Sequence, residues 1–125
     1  MIESINETHT IYAVYIHINK DMKIVVGKLG ECFFKKGTYI YVGSAKRNIK
    51  ARINRHIMQD KKLRWHIDYL RKYGSINKIV TYDSSLSECE RCIQILEKYK
   101  GELPIKGFGS SDCKCNSHLI FIPNV

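Results

Sequence analysis

The sequence predicts an α+β fold in which a small, mostly antiparallel sheet is flanked by three helices. Three observations carry this. Stretches with a period of two, rich in β-branched and aromatic residues, recur at 10–18, 38–42 and 76–82, as half-buried strands require. Apolar residues spaced by three and four take over at 46–57, at 63–73 and after 87, the signature of amphipathic helices. Glycine, asparagine, aspartate and serine clusters separate these runs. The 125 residues leave room for one compact domain, 1–125, and not for two.

In order along the chain, Thr10 to Ile18 reads as the first strand, and Lys23 to Val26, after Asn19-Lys20-Asp21, as its hairpin partner. Cys32-Phe33-Phe34 would extend an edge. Thr38 to Val42 is the strongest strand, with Tyr39, Tyr41 and Gly43 on one face beside a site and Ile40 and Val42 packing inward. Gly43-Ser44-Ala45 reads as a close turn into a basic helix, 46–57, whose apolar stripe is Ile49, Ile53 and Ile57. A second helix, 63–73, turns Leu63, Ile67 and Leu70 inward and ends at Gly74 as a C-cap. Ile76 to Tyr82 is a further strand. Ser84 to Ser87 offer N-capping hydroxyls to a third helix lined by Cys89, Cys92, Ile93 and Leu96 and ending near Gly101. Leu119 to Ile122 closes the sheet.

Composition narrows the function classes. The 44% hydrophobic and 26% charged fractions are those of a globular protein, and apolar runs such as Ile11 to Ile16 are too short to span a bilayer. The opening Met-Ile-Glu-Ser-Ile-Asn-Glu lacks the regions of a signal peptide, so the expected compartment is the cytoplasm. There the five cysteines would be reduced thiols or metal ligands. Twenty-one Lys and Arg against twelve Asp and Glu give a formal charge of +9, concentrated between Lys35 and Lys72. That balance points to a polyanionic partner, nucleic acid foremost, and the absence of a spanning run argues against a membrane partner.

Arg52 and His56 are four apart on one helical face just after Tyr41 and Gly43, so tyrosine, arginine and histidine are brought together. Tyr41-Val42-Gly43, followed by Arg52-x-x-Arg55-His56, Trp65-His66-Ile67-Asp68-Tyr69-Leu70, Glu88-Cys89 and Phe108-Gly-Ser-Ser-Asp-Cys-x-Cys-x-Ser-His-Leu119, resembles the GIY-YIG nuclease superfamily. The resemblance is to a small branch that occurs alone or fused to endonuclease III-type glycosylases, and it covers nearly everything beyond the first strand. Thr10 stands where the family's first signature has glycine, and the spacing from Tyr12 to Tyr41 is long; an inserted strand pair within 25–34 would account for it.

What the resemblance implies is metal-dependent hydrolysis of DNA phosphodiesters, in repair or processing, with a DNA-repair glycosylase as a further partner. Tyr12 or Tyr41 would help deprotonate the attacking water, with nearby positive charge lowering the phenol pKa from about 10. Arg52 would stabilise phosphate charge, His56 would stand near it, and Glu88 would hold magnesium or manganese. Glu90 competes for that role. Lys46, Arg47, Lys50, Arg55 and His66 are the expected nucleic-acid contacts.

Cys89, Cys113, Cys115 and His118 supply soft and borderline ligands of the kind that hold tetrahedral zinc, although cysteines are also common as small buried residues. Asp112 and His118 are alternatively extensions of the nuclease site, and Asn116 or Asn124 stands in for a late family asparagine. Arg64 and Asp68 read as an i,i+4 ion pair, or His66 and Asp68 as cleft residues. Two other classes stay open: a nucleic-acid binding module without turnover, and a zinc-stabilised interaction domain.

Overall fold

The computed structural model describes residues 2–110 and 115–123. It is an α+β fold with seven strands and three helices: β1 (Ile2–Ser4), β2 (Ile11–Ile18), β3 (Met22–Val25), β4 (Glu31–Phe34), β5 (Gly37–Ser44), α1 (Ile49–Ile57), α2 (His66–Tyr73), β6 (Ser75–Tyr82), α3 (Glu88–Tyr99) and β7 (Leu119–Ile122). The main sheet has the order β1-β6-β2-β5-β7 and is antiparallel except for the β1–β6 pair. No described helix is long and apolar enough to cross a membrane.

β2 and β5 form the centre of the sheet and are buried on both faces. Tyr12, Val14, Ile16, Tyr39 and Tyr41 face a core completed by Ile49 and Ile53 of α1, Ile67 and Leu70 of α2, and Phe34 and Phe108. Ala13, Tyr15, Ile40 and Val42 face a second core with Cys92 and Ile95 of α3. The tyrosine face of β5 is therefore packed like its opposite face, and Tyr41 reaches a cleft only at its edge.

Several expectations are corrected. Residues 11–18 and 23–26 are not a hairpin: β3 pairs with β4 in a separate two-stranded sheet, while β2 pairs with β5 and β6. The chain between the two tyrosine strands thus forms a separate two-stranded ribbon, Met22–Val25 with Glu31–Phe34. Its apolar residues Ile24 and Phe34 join the core that Tyr12 and Tyr41 face. β1 gave no signal because its three residues are placed by parallel backbone pairing with β6 and its Glu3 and Ser4 side chains are exposed.

The helix boundaries also move. α1 begins at Ile49, capped by Asn48, whose side chain accepts from the Ala51 N–H at 3.2 Å, so Lys46 and Arg47 lie in the preceding loop. α2 begins at His66 rather than Leu63, because the Asp68 carboxylate accepts the backbone N–H groups of Arg64 and Trp65 and pins the chain just before the helix. Gly74 has φ −113° and is no left-handed cap; a Cβ there would run into Ile16 Cγ2. In α3, Ile93 is exposed and Ile95 takes its place in the core. That helix ends on Lys100, in the left-handed region at φ 52°, one residue before Gly101.

Gly43 lies within β5, not in a turn. It stands opposite Tyr12, and a Cβ on it would come 2.5 Å from the Tyr12 Cζ and Oη. Gly43→Ala is therefore expected to push the Tyr12 ring from its place and cost about 1–3 kcal/mol, as overpacking does; urea unfolding of the variant measures it. Unchanged stability would mean that the ring relocates freely.

Candidate functional site

Tyr12, Tyr41, Ser44, Arg52, Arg64, Trp65, His66, Glu88, Gly109 and His118 line one cleft of about 310 Å³. It lies where the end of β5, the α1/α2 pair and the start of α3 meet.

Glu88 opens α3. Ser87 is the N-cap, its side chain accepting from the Glu90 N–H at 3.1 Å while Glu90 Oε1 accepts from the Ser87 N–H at 2.9 Å. This reciprocal pair uses Glu90 locally and leaves Glu88 as the carboxylate of the cleft. Ser44 Oγ donates to Glu88 Oε2 at 2.5 Å, and His118 Nδ1 lies 2.6 Å from Oε1. Burial opposes its ionisation, but those two bonds and the charge of Arg52 hold its carboxyl below the usual range.

Arg52 projects from α1 and donates through Nη1 to the Ser44 carbonyl at 3.1 Å. Its guanidinium also lies over the Trp65 ring, 4.7 Å from the centroid, a contact suited to a planar cation. Both holds fix the fork at the rim of the cleft.

His56 is 1% exposed. Its Nε2 is 2.6 Å from Tyr12 Oη, and the rings of Tyr12, Tyr41 and Trp65 pack around it. Burial, with Lys61 next in weight, pushes its pKa down to about 3, so the ring is neutral at pH 7. Burial also pushes the pKa of both Tyr12 and Tyr41 up, and the opposing charge of Arg52 is the weaker influence. Arg52 by itself therefore does not lower these phenols below their usual value, because burial outweighs its charge.

Of the expected nucleic-acid contacts, Lys46, Arg47 and Lys50 are exposed at the start of α1. Arg55 is not available in the same way, since it grips Asp68 with two bonds of 3.0 Å and lies 4.1 Å over Trp65. Asp68, 0% exposed, also accepts the two N–H bonds before α2 and faces Lys61 at 3.5 Å. Its partner is therefore Arg55 and not Arg64, and it is a buried anchor rather than a cleft residue. His66 does line the cleft, and its Nδ1 accepts the Gly109 N–H at 2.8 Å, tying the 107–110 loop to α2.

The segment that ends at His118 is fixed by backbone bonds: His118 N–H donates to Phe108 at 2.8 Å and its carbonyl accepts from Val42 at 3.0 Å. Cys115 meets Cys89 of α3 as a disulfide pair with Cα atoms 5.9 Å apart, and His118 Nε2 is 3.5 Å from Cys89 Sγ. Cys113, Asp112 and Asn124 lie outside the described residues, and Asn116 is exposed.

Sequence reasoning missed Ser44 as a donor to Glu88, Arg64 as a cleft residue, and the anchoring role of Asp68. A serine after a strand glycine and an acid four residues after an arginine gave no signal for these roles. Comparison with known proteins matches residues 11–125 to a family described as a domain of unknown function, DUF123. No curated protein and no solved structure matches the chain.

Proposed function

Because this chain belongs to the DUF123 family, whose description names no activity, its chemistry is read from the cleft, and we propose that it is a metal-dependent DNA endonuclease of the GIY-YIG type. The observation that carries the reading is the convergence of one ionised carboxylate, one fixed arginine and two tyrosines on the same opening. A basic loop stands at the start of the neighbouring helix.

Glu88 suits a hard divalent cation such as magnesium or manganese. Its side chain is 25% exposed, each of its oxygens holds one donor and keeps a further lone pair, and such ions bind through one or two carboxylates with waters and phosphate oxygens. When bound, the ion would supply positive charge for the developing oxyanion and the leaving oxygen. Arg52, already held by Ser44 and Trp65, needs no reorganisation to meet an equatorial phosphate oxygen. Tyr12, fixed by His56, or Tyr41 orients the attacking water, a role that a protonated phenol can fill. In this reading the enzyme acts on cytoplasmic DNA, in repair or processing, with a base-excision glycosylase as the expected partner.

A second reading, a DNA-binding module without turnover, is favoured by one observation: burial raises the pKa of both phenols, so neither is a ready base for the proton of the attacking water. Incubation with branched, nicked and linear DNA, with magnesium or manganese and with chelator, tests the proposal. Chelator-sensitive nicks support the nuclease, and tight binding without cleavage under any divalent ion supports the module.

DNA affinity should fall steeply with salt, since Lys46, Arg47 and Lys50 would displace condensed counterions. Lys50→Ala is expected to lower the slope of log K against log salt by about one. An unaltered slope would move the binding face away from the start of α1.

A further inference from the structure

Sharing His118 with the cleft is a second group of chemistry-bearing side chains, and we propose that Cys89, Cys115 and His118 form a zinc site backed by Glu88. The ligand atoms of these three residues all lie within 4.8 Å of one another. That set, two sulfurs and one imidazole nitrogen, is the borderline-soft donor chemistry zinc prefers.

The orientation of His118 is the second observation. A carboxylate only accepts hydrogen bonds, so the 2.6 Å contact between His118 Nδ1 and Glu88 Oε1 places the proton on Nδ1. With Nδ1 turned to Glu88, the atom left to ligate is Nε2, which stands 3.5 Å from Cys89 Sγ. A carboxylate behind the far nitrogen of a ligating histidine is the usual outer support of a zinc centre: it fixes the tautomer and raises the basicity of the ligand. The cluster is also held from outside, by the backbone bonds of His118 and by buried Cys92, whose Sγ donates to the Ser117 carbonyl at 3.6 Å.

Metal binding uses the reduced pair. A thiol reductant delivers two electrons and two protons to the Cys89–Cys115 bond and is itself oxidised to a disulfide, or a phosphine delivers the electrons and becomes its oxide while water supplies the oxygen and both protons. Either way two thiols result, and both sulfur protons leave as the thiolates bind zinc. Zinc thereby links α3 to the segment before β7 and holds the histidine that holds Glu88. The zinc site and the hard-cation role of Glu88 are separate claims, because zinc content is read without nucleic acid.

The test is metal content of the full chain, reduced with a phosphine, incubated with zinc and dialysed, together with cobalt(II) titration of the same protein. The expected result is one zinc per chain and, with cobalt, thiolate charge-transfer absorption and the intense visible bands of a tetrahedral ion. Cys115→Ser and His118→Gln should lose both, Cys92→Ser should keep both, and Glu88→Gln should keep the stoichiometry while weakening zinc affinity about 10- to 100-fold. Wild-type protein that retains no more zinc than Cys115→Ser overturns the site, as does a Cys89–Cys115 disulfide that mass spectrometry finds intact after reduction. Should a variant fail to fold, the wild-type cobalt spectrum alone decides: its absence under reduction overturns the site.

Discussion

Glu88→Gln is expected to abolish measurable cleavage, with a loss of about 10³-fold or more, while DNA binding persists or tightens. The substitution keeps the shape of the side chain and removes its charge. A bound cation is worth several kcal/mol of transition-state stabilisation, and each 1.36 kcal/mol is about a factor of ten in rate. Binding survives because it is carried by exposed Lys46, Arg47 and Lys50, and one fewer negative charge faces the phosphates. Arg52→Ala should differ in kind. It removes a phosphate contact and a preorganised donor, so cleavage falls by about 10²- to 10³-fold and affinity falls as well. Single-turnover cleavage and fluorescence anisotropy on one oligonucleotide separate the two patterns. If wild-type protein cleaves and Glu88→Gln cleaves equally well, the metal assignment is wrong.

Asp68→Ala carries the largest expected effect on stability, a loss of about 3–5 kcal/mol, because it leaves a partly buried cation without its partner. Asp68 joins three parts of the chain at once: Arg55 of α1, the Arg64 and Trp65 amides before α2, and Lys61 between them. Removing it frees Arg55 from its place over Trp65, and Trp65 supports Arg52, so catalysis should weaken as well. Asp68→Asn, which keeps acceptor capacity on one oxygen, should cost less than Asp68→Ala. Burial opposes ionisation of Asp68, but the Arg55 fork, the two amides and Lys61 prevail and hold its carboxyl below the usual range. A carboxyl depressed in the folded state contributes stability above its unfolded pKa of about 3.9 and loses it as pH falls through the lower folded value. The gap in stability between wild type and Asp68→Ala should therefore be full at pH 7 and shrink below about pH 4, as urea unfolding across that range would measure. A gap independent of pH would remove the charge from the account.

The sequence by itself determined the elements that local physics controls. The period-two runs around Tyr12, Tyr41 and Ile79 became strands because alternate β-branched and aromatic residues fit a pleated surface. Ile49 and Ile53 placed α1 because four-residue spacing puts them on one stripe. That Arg52 and His56 share one helix was legible for the same reason, but their partners were not: Arg52 is held by Ser44 and Trp65, and His56 is buried against Tyr12. What lies far apart in sequence was decided only by the tertiary structure. Which strands pair is settled by whole-sheet burial, so β3 left β2 for β4, and β1, with no pattern of its own, was placed by backbone bonding to β6. Gly43 reads as a turn residue until the ring of Tyr12, 31 positions earlier, is laid across it. Arg55 reads as a phosphate contact until Asp68 is packed beneath it. The choice of Glu88 over Glu90 likewise needed the fold: both open the same helix, and only the approach of Ser44 and His118 to one of them, against the local cap made by the other, tells them apart. A side chain's charge is written in the sequence, but the partner that uses it is fixed by long-range packing, where contacts between distant segments compete and the best-buried arrangement wins.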